Sequence, residues 1–122
     1  MLRRMAAAVA PVLSPRRRRP AGCCTAAVQP DLDVVRATGL AAVAKALGDP
    51  TRLRIVDVVR KSAPEAVCQC ELVPLFEMSQ AGLAKHLKVL VDAGVLASER
   101  RGAWIYYYTR TDGLEELTSW LS

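Results

Sequence analysis

The sequence predicts a mainly α-helical domain closed by a short β-hairpin, and three observations point there. From about residue 31 onward apolar residues recur at helical spacing, as in Leu40, Val43, Ala44 and Leu47. Capping residues, Gly48-Asp49-Pro50 and later Ser79, divide that pattern into separate helices. Near the C-terminus the period changes to two, where Trp104, Tyr106 and Tyr108 alternate with Ile105 and Tyr107.

The elements follow in order. The first helix ends at Gly48, expected in the left-handed conformation that stops helices. Asp49 then reads as an N-cap and Pro50 as the first residue of a second helix, where its missing N–H costs nothing. That helix runs to about Lys61 and is expected to bury Leu53, Val56 and one or more of Ile55 and Val59. A short third helix is expected around Cys70 to Phe76, followed by a tight turn at Glu77–Met78. Ser79 caps a fourth helix whose apolar residues are Leu83, Leu87, Leu90 and Val91, with Ala81, Ala84, Lys85 and Lys88 on the other side. Val95 to Arg100 and Ala103 to Thr109 read as two strands around a turn at Arg101–Gly102. The closing segment, Asp112 to Leu121, is an amphipathic helix with Leu114, Leu117, Trp120 and Leu121 apolar, which with the first helix offers a dimer interface.

Charge is divided unevenly along the chain. Its 122 residues carry 17 Lys+Arg and 12 Asp+Glu, a net +5. Arg3, Arg4, Arg16, Arg17, Arg18 and Arg19 put +6 on residues 1–20, which hold no acid, so residues 21–122 carry −1. Residues 1–30 read as a disordered basic arm carrying Cys23-Cys24, and residues 31–122 as the folded domain. Arg3 and Arg4 precede a short apolar run, Met5 to Leu13, but it is mostly alanine and four arginines follow. The arm therefore reads as a nucleic-acid-touching tail or an over-extended start rather than a secretory signal. No stretch of about 18 uncharged apolar residues exists, so no membrane span is expected and the cytoplasm is the default location. A single histidine, His86, excludes any site that needs two.

A short helix, a tight turn and a second helix with lysines and small residues on its open face form a helix-turn-helix pattern. Taken alone, that stretch reads equally as a surface helix with two solvated lysines. The hairpin behind it tips the balance: a basic turn between two β-rich arms completes a winged helix-turn-helix, with a tip able to reach phosphates. Residues 79–110 hold Lys85, Lys88, Arg100, Arg101 and Arg110 against Asp92 and Glu99, a local +3. DNA binding rests on that patch rather than on the total charge.

Several motifs, in order, resemble those of one family. Ala46-Leu47-Gly48-Asp49-Pro50-Thr51-Arg52-Leu53-Arg54-Ile55 looks like the second-helix signature of ArsR/SmtB winged-helix repressors. His86-Leu87-Lys88-Val89-Leu90 with Ala93-Gly94-Val95-Leu96 resembles their recognition helix and the entry to the wing. Ser98-Glu99-Arg100-Arg101-Gly102 and Trp104-Ile105-Tyr106-Tyr107 resemble the wing, and Cys68-Gln69-Cys70-Glu71-Leu72 the Cys-x-Cys-Asp-Leu box of metal-sensing members. The resemblance spans roughly residues 35–121. It implies a homodimeric repressor, not an enzyme, that binds double-stranded DNA at an inverted repeat and leaves it when a metal or metalloid binds. By the same resemblance Ser79, Gln80, Ala84, Lys85 and His86 approach the duplex, with Lys88 beside them. Gln80 suits a base edge, while Lys85, Arg100 and Arg101 suit phosphate. A buried, hydrogen-bonded place for His86 competes with DNA contact. Ala81, Gly82 and Ala84 stand where members often have a Pro-Thr pair and a serine, which removes hydroxyl groups from the reading face.

The four cysteines form two close pairs, Cys23-Cys24 and Cys68-x-Cys70. Soft thiolates suit arsenic(III), antimony(III), cadmium, lead, mercury, copper(I) or zinc, and disfavour hard cations. Residues i and i+2 of a regular helix do not face one another, so Cys68 and Cys70 share one ion only if Cys68 is non-helical or one of them is a bystander. A helix N-terminus would favour the Cys70 thiolate. The paired pattern resembles an actinobacterial-type arsenical repressor. That resemblance implies a pyramid of three thiolates around arsenic from Cys23, Cys24 and one of Cys68 or Cys70, or all four around zinc or cadmium. The mixed His/carboxylate site that other members place on the last helix is not expected, because residues 112–121 contain no histidine. Competing readings are a thiol redox switch joining Cys68 or Cys70 to Cys23 or Cys24, and a constitutive DNA binder. A thiol enzyme is disfavoured by the lack of a phosphate-cradling loop and of Cys-x-x-Cys after a strand.

Overall fold

Among the residues described by the computed structural model, 27–122, five helices and three strands follow in order. They are α1 (Val34–Leu47), α2 (Pro50–Ser62), β1 (Val67–Cys68), α3 (Gln69–Phe76), α4 (Gln80–Asp92), β2 (Leu96–Arg101), β3 (Trp104–Thr109) and α5 (Thr111–Leu121). Cys23, Cys24 and the expected arginine-rich segment lie outside the described residues. Leu32–Ser122 forms one compact unit. No helix among the described residues is long and apolar enough to cross a membrane.

Local chemistry sets the helix starts. Asp33 accepts the Arg36 N–H at 2.8 Å to cap α1, Asp49 accepts that of Arg52 at 3.1 Å to cap α2, and Ser79 Oγ accepts that of Gly82 at 3.0 Å to cap α4. The Arg52 N–H holds the Asp49 carboxyl below its ordinary value, so this cap contributes at neutral pH and weakens as pH falls through that lowered value. Gly48 ends α1 with φ −82° and an N–H bond back to Lys45, not in the left-handed conformation expected of it. Arg52 explains the difference: its side chain reaches back to the last α1 carbonyls and satisfies them without that turn.

The core is one cluster beneath α4 and the hairpin. Ile55, Leu72, Leu83, Leu87, Leu90, Val95 and Leu96 are fully enclosed. Two expectations change. Leu53 is exposed, because the buried arc of α2 runs through Ile55, Val56 and Val59. On α1 it is Ala46, not Ala44, that joins Leu40 and Val43 inside. Gly113 lets α5 lie close to the end of α4, since a Cβ there would stand 3.1 Å from the Gly94 carbonyl oxygen and 3.4 Å from Val43. Val34, Val35, Trp120 and Leu121 of α1 and α5 remain exposed.

The sheet has order β1-β3-β2, antiparallel throughout. The hairpin loop is Gly102–Ala103, one residue later than expected, with Arg101 paired to Trp104 as the last rung. Gly102 has φ 62°, the positive angle that the first position of a tight two-residue hairpin loop demands. Strand β1 pairs Val67 with Tyr107 and Cys68 with Tyr106. Tyr107 faces inward, and its hydroxyl donates to Gln69 Oε1 at 3.2 Å, which ties α3 to β3. Burial raises the Tyr107 pKa, so the phenol stays protonated and donating.

Between α3 and α4, Glu77 adopts φ 47°, ψ 45°. A side chain in this left-handed region costs about 1–2 kcal/mol. Glu77→Gly is therefore expected to raise stability by about 0.5–1 kcal/mol, after the added flexibility of the unfolded chain is subtracted. Urea denaturation measures the shift, and an unchanged or lower midpoint would show that the turn is not strained.

Candidate nucleic-acid interface and thiol site

Helices α3 and α4, joined by the left-handed turn at Glu77, make the helix-turn-helix. Leu83, Leu87 and Leu90 fix α4 by one buried face. At 100° per residue, Gln80, Ala84, Lys88, Ala81 and Lys85 then share an arc of about 140° that adjoins the leucine face and turns away from it. Gln80, Ala81, Lys85 and Lys88 of that arc are exposed and Ala84 is half-buried, so the backbone itself is approachable there. Ser79 spends its hydroxyl on the cap of α4. Lys88 pairs with Asp92 at 3.1 Å on an open surface, an interaction that gives way readily to a phosphate.

His86 stands at the margin of the buried face. Arg52 Nη1 lies 3.3 Å from its Nδ1, and because a guanidinium has only donors, Nδ1 must be the acceptor. The same guanidinium donates to the Ala46 carbonyl at 2.6 Å and that of Lys45 at 3.5 Å. Arg52 thus clasps the end of α1, the start of α2 and the middle of α4, and orients the recognition helix. Sequence reading passed over it, although an arginine three residues after a helix cap and six after the preceding helix's last turn was a visible signal. Arg52→Ala strands these acceptors and is expected to cost about 1.5–3 kcal/mol. The urea midpoint should fall accordingly; an unchanged midpoint would mean the clasp carries no weight.

The wing carries its charge at the hairpin end. Arg100 is exposed, while Arg101 is held by Glu99 at 3.2 and 3.3 Å and lies 5.1 Å above the Tyr106 ring. That bond holds Glu99 below the ordinary carboxylate range. Replacing Lys85 or Arg100 with alanine is expected to weaken binding to all duplexes about equally, each lowering the salt slope by about one. Salt-titrated binding checks this; a loss confined to one duplex would instead mark a base contact.

The cysteines meet the geometric condition for sharing a ligand. Cys68 is extended (φ −71°, ψ 143°) as the last residue of β1 and the cap of α3, while Cys70 lies in the first turn of α3. Their sulfurs are in direct contact, with Cα atoms 5.2 Å apart. Cys68 Sγ accepts the Cys70 N–H at 3.3 Å, and Glu71 accepts the Cys68 N–H at 2.8 Å, so the pair is locked into the helix start. Strand pairing sets Cys68, Tyr106 and Glu99 in one row on one face of the sheet. The sulfurs therefore open into a groove of about 690 Å³ whose walls include Pro64, Ala66, Glu65, Tyr106 and Arg101. No cluster of three or more His, Cys, Asp or Glu placed to hold a metal occurs among the described residues. The structure thus brings Cys68 and Cys70 together, while Cys23 and Cys24 lie outside the described residues.

The sequence profile of a family described as "Bacterial regulatory protein, arsR family" matches residues 49–98, which span α2 to the start of β2. The arsenical resistance operon repressor of Bacillus subtilis is 36% identical over 75 residues, covering 62% of this chain and 70% of that protein. An ArsR-like transcriptional regulator from Rhodococcus sp. RHA1 superposes with TM-score 0.63 at 27% identity, over 72% of this chain and 80% of its own. The homodimeric winged helix-turn-helix DNA-binding domain from Mycobacterium bovis shares the fold with TM-score 0.61 at 22% identity, over 79% of this chain and 87% of its own.

Proposed function

Since the chain belongs to the arsR family of bacterial regulatory proteins, which are DNA-binding transcriptional regulators and not enzymes, we propose that it is an arsenite-released repressor. It binds an inverted-repeat operator as a homodimer, with Gln80 of α4 at base edges in the major groove and Lys85 of α4 with Arg100 and Arg101 of the wing on the phosphate backbone. The exposed Val34, Val35, Trp120 and Leu121 of α1 and α5 suit burial against a second copy. Arsenite, or antimonite, is the inducer, held by three of Cys23, Cys24, Cys68 and Cys70. The observation that carries the reading is the contact of the Cys68 and Cys70 sulfurs at the start of the helix-turn-helix.

Coupling follows from where those sulfurs are anchored. An arsenic(III) centre supplies an acceptor that takes thiolates in a pyramid. Cys68 is hydrogen-bonded into the β1–β3 ladder and caps α3, so a pull on its sulfur acts at once on the wing and on the first helix of the reading unit. Both elements reach DNA, and a small change in their spacing separates two states that bind the operator differently. Such coupling is ordinarily worth about 1–3 kcal/mol.

The test begins with selection of an operator from random duplexes, expected to return a site of dyad symmetry. A reporter behind that operator should be silenced by the chain and released by arsenite. Expression unaffected by arsenite would overturn the inducer, and selection of no site would overturn the repressor.

A second reading, redox control, is favoured by the same sulfur contact. Two thiols would give up two electrons and two protons to a peroxide, leaving a Cys68–Cys70 disulfide and two waters. That pairing differs from the link to Cys23 or Cys24 that the sequence suggested. Operator release by peroxide in the presence of chelator, with a non-reducing mass lower by two hydrogens, would establish it in place of metalloid sensing.

A further inference from the structure

We infer that Arg54 of α2 is a phosphate contact of the DNA interface, placed at the end of α4 that enters the groove. This rests on the repressor reading proposed above and extends its interface to a third element, beyond α4 and the wing. In a helix-turn-helix the first helix crosses the backbone, and the N-terminal residues of the second reach base edges. The junction between the two helices therefore lies against the phosphates. Phe76, the last residue of α3, stands at that junction, just ahead of the Ser79 cap and Gln80. Arg54 holds its guanidinium 5.2 Å from the centroid of the Phe76 ring. A side chain of α2 thus delivers a cation to the turn between α3 and α4.

Three further observations fit this side chain to a phosphate. Arg54 is exposed, as is Gln80 beyond the turn. Among the described residues no acid pairs with it, whereas Arg36, Arg60, Arg101 and Arg110 each have a carboxylate partner. Its charge is therefore available to an anion, as is that of Arg100 at the wing, the other exposed arginine without such a partner. The ring of Phe76 is itself buried, so the platform under the guanidinium is fixed. An arginine already restrained on an aromatic face loses less freedom when it binds, and its planar fork of donors matches a phosphate. Arg52 gives the contrast. Two positions earlier, and about 200° away around α2, it spends its donors inside the fold on Ala46, Lys45 and His86. One helix start thus uses one arginine to brace α4 and the next to meet the duplex beside it.

The experiment is a salt titration of binding by fluorescence anisotropy, with the reduced full-length chain, the operator returned by the selection above and a scrambled duplex of the same length. Arg54→Gln removes the charge, and its melting temperature should stay within a few degrees of wild type. It is expected to lower the slope of log affinity against log salt by about one, which makes binding about 8-fold weaker at about 0.1 M salt and leaves little difference near 1 M. The loss should be equal on both duplexes, because a phosphate carries no sequence. Arg54→Met, a neutral variant whose side chain keeps contact with the Phe76 ring, should give the same slope as Arg54→Gln. Arg54→Lys, which keeps the charge, should give the wild-type slope. Lys85→Ala is the yardstick. If Lys85→Ala lowers the slope and a folded neutral variant of Arg54 does not, Arg54 lies off the backbone, although the interface of α4 stands. If neither lowers it, docking through α4 is wrong and the place of Arg54 falls with it. A loss confined to the operator would make Arg54 a base-reading residue and overturn the phosphate contact.

Discussion

Replacing Cys68 and Cys70 together with serine is expected to leave operator binding within about twofold of wild type and to abolish its response to arsenite. The wild-type response corresponds to a change of about 5–150-fold in affinity if coupling is of the usual size. The variant should fold, because serine at position 68 supplies a better helix cap than the sulfur it replaces, still accepting the Cys70 backbone N–H at the start of α3. Nothing in the exposed arc of α4 or in the wing's basic residues is altered. Binding and response are therefore separable in this molecule. Anisotropy with and without arsenite reads both, and a variant that still releases the operator on arsenite would remove Cys68 and Cys70 from the inducer site.

The second large effect is on stability. Leu87 is fully enclosed in the cluster formed by α2, α3, α4 and the hairpin. Leu87→Ala loses the transfer energy of the removed atoms and leaves a cavity, together about 2.7–5 kcal/mol. Total stabilities run to about 5–15 kcal/mol, so this is a large share of the whole. For a folded unit of this size the melting temperature should fall by about 10–30 °C. The change also frees the face that fixes α4, so specific DNA binding should be lost with the fold. A melting temperature within a few degrees of wild type would show that α4 is held by something other than this face.

Much of the fold was legible because its signals are local. The caps Asp49 and Ser79 and the stripe Leu83, Leu87, Leu90 each declare themselves within one or two helical turns. The alternation across Trp104 to Tyr108 does the same for the wing. What escaped depends on partners distant in sequence. Strand β1 is two residues long and exists because β3 offers Tyr106 and Tyr107 to pair with. The burial arc of α2 is set by what packs on it, so Leu53, apolar and at helical spacing, still ends exposed. Arg52 reads as a solvated charge until α4 brings His86 to it across 34 positions.

For the candidate site, the sequence singled out Cys68 and Cys70 and set the condition under which they could share a ligand. The structure meets that condition through the extended backbone of Cys68. It adds what spacing could not contain: the row joining Cys68 to Tyr106 and Glu99, and Arg101 folded over it. The cysteine pair and the basic end of the wing thus share one face of one three-stranded sheet.

The most direct test of that link is the operator affinity of the reduced full-length chain, measured by fluorescence anisotropy at one fixed salt concentration with and without arsenite. Arsenite is expected to weaken binding at least about fivefold, the low end of ordinary coupling between sites. Equal affinity in its presence and absence would contradict the account.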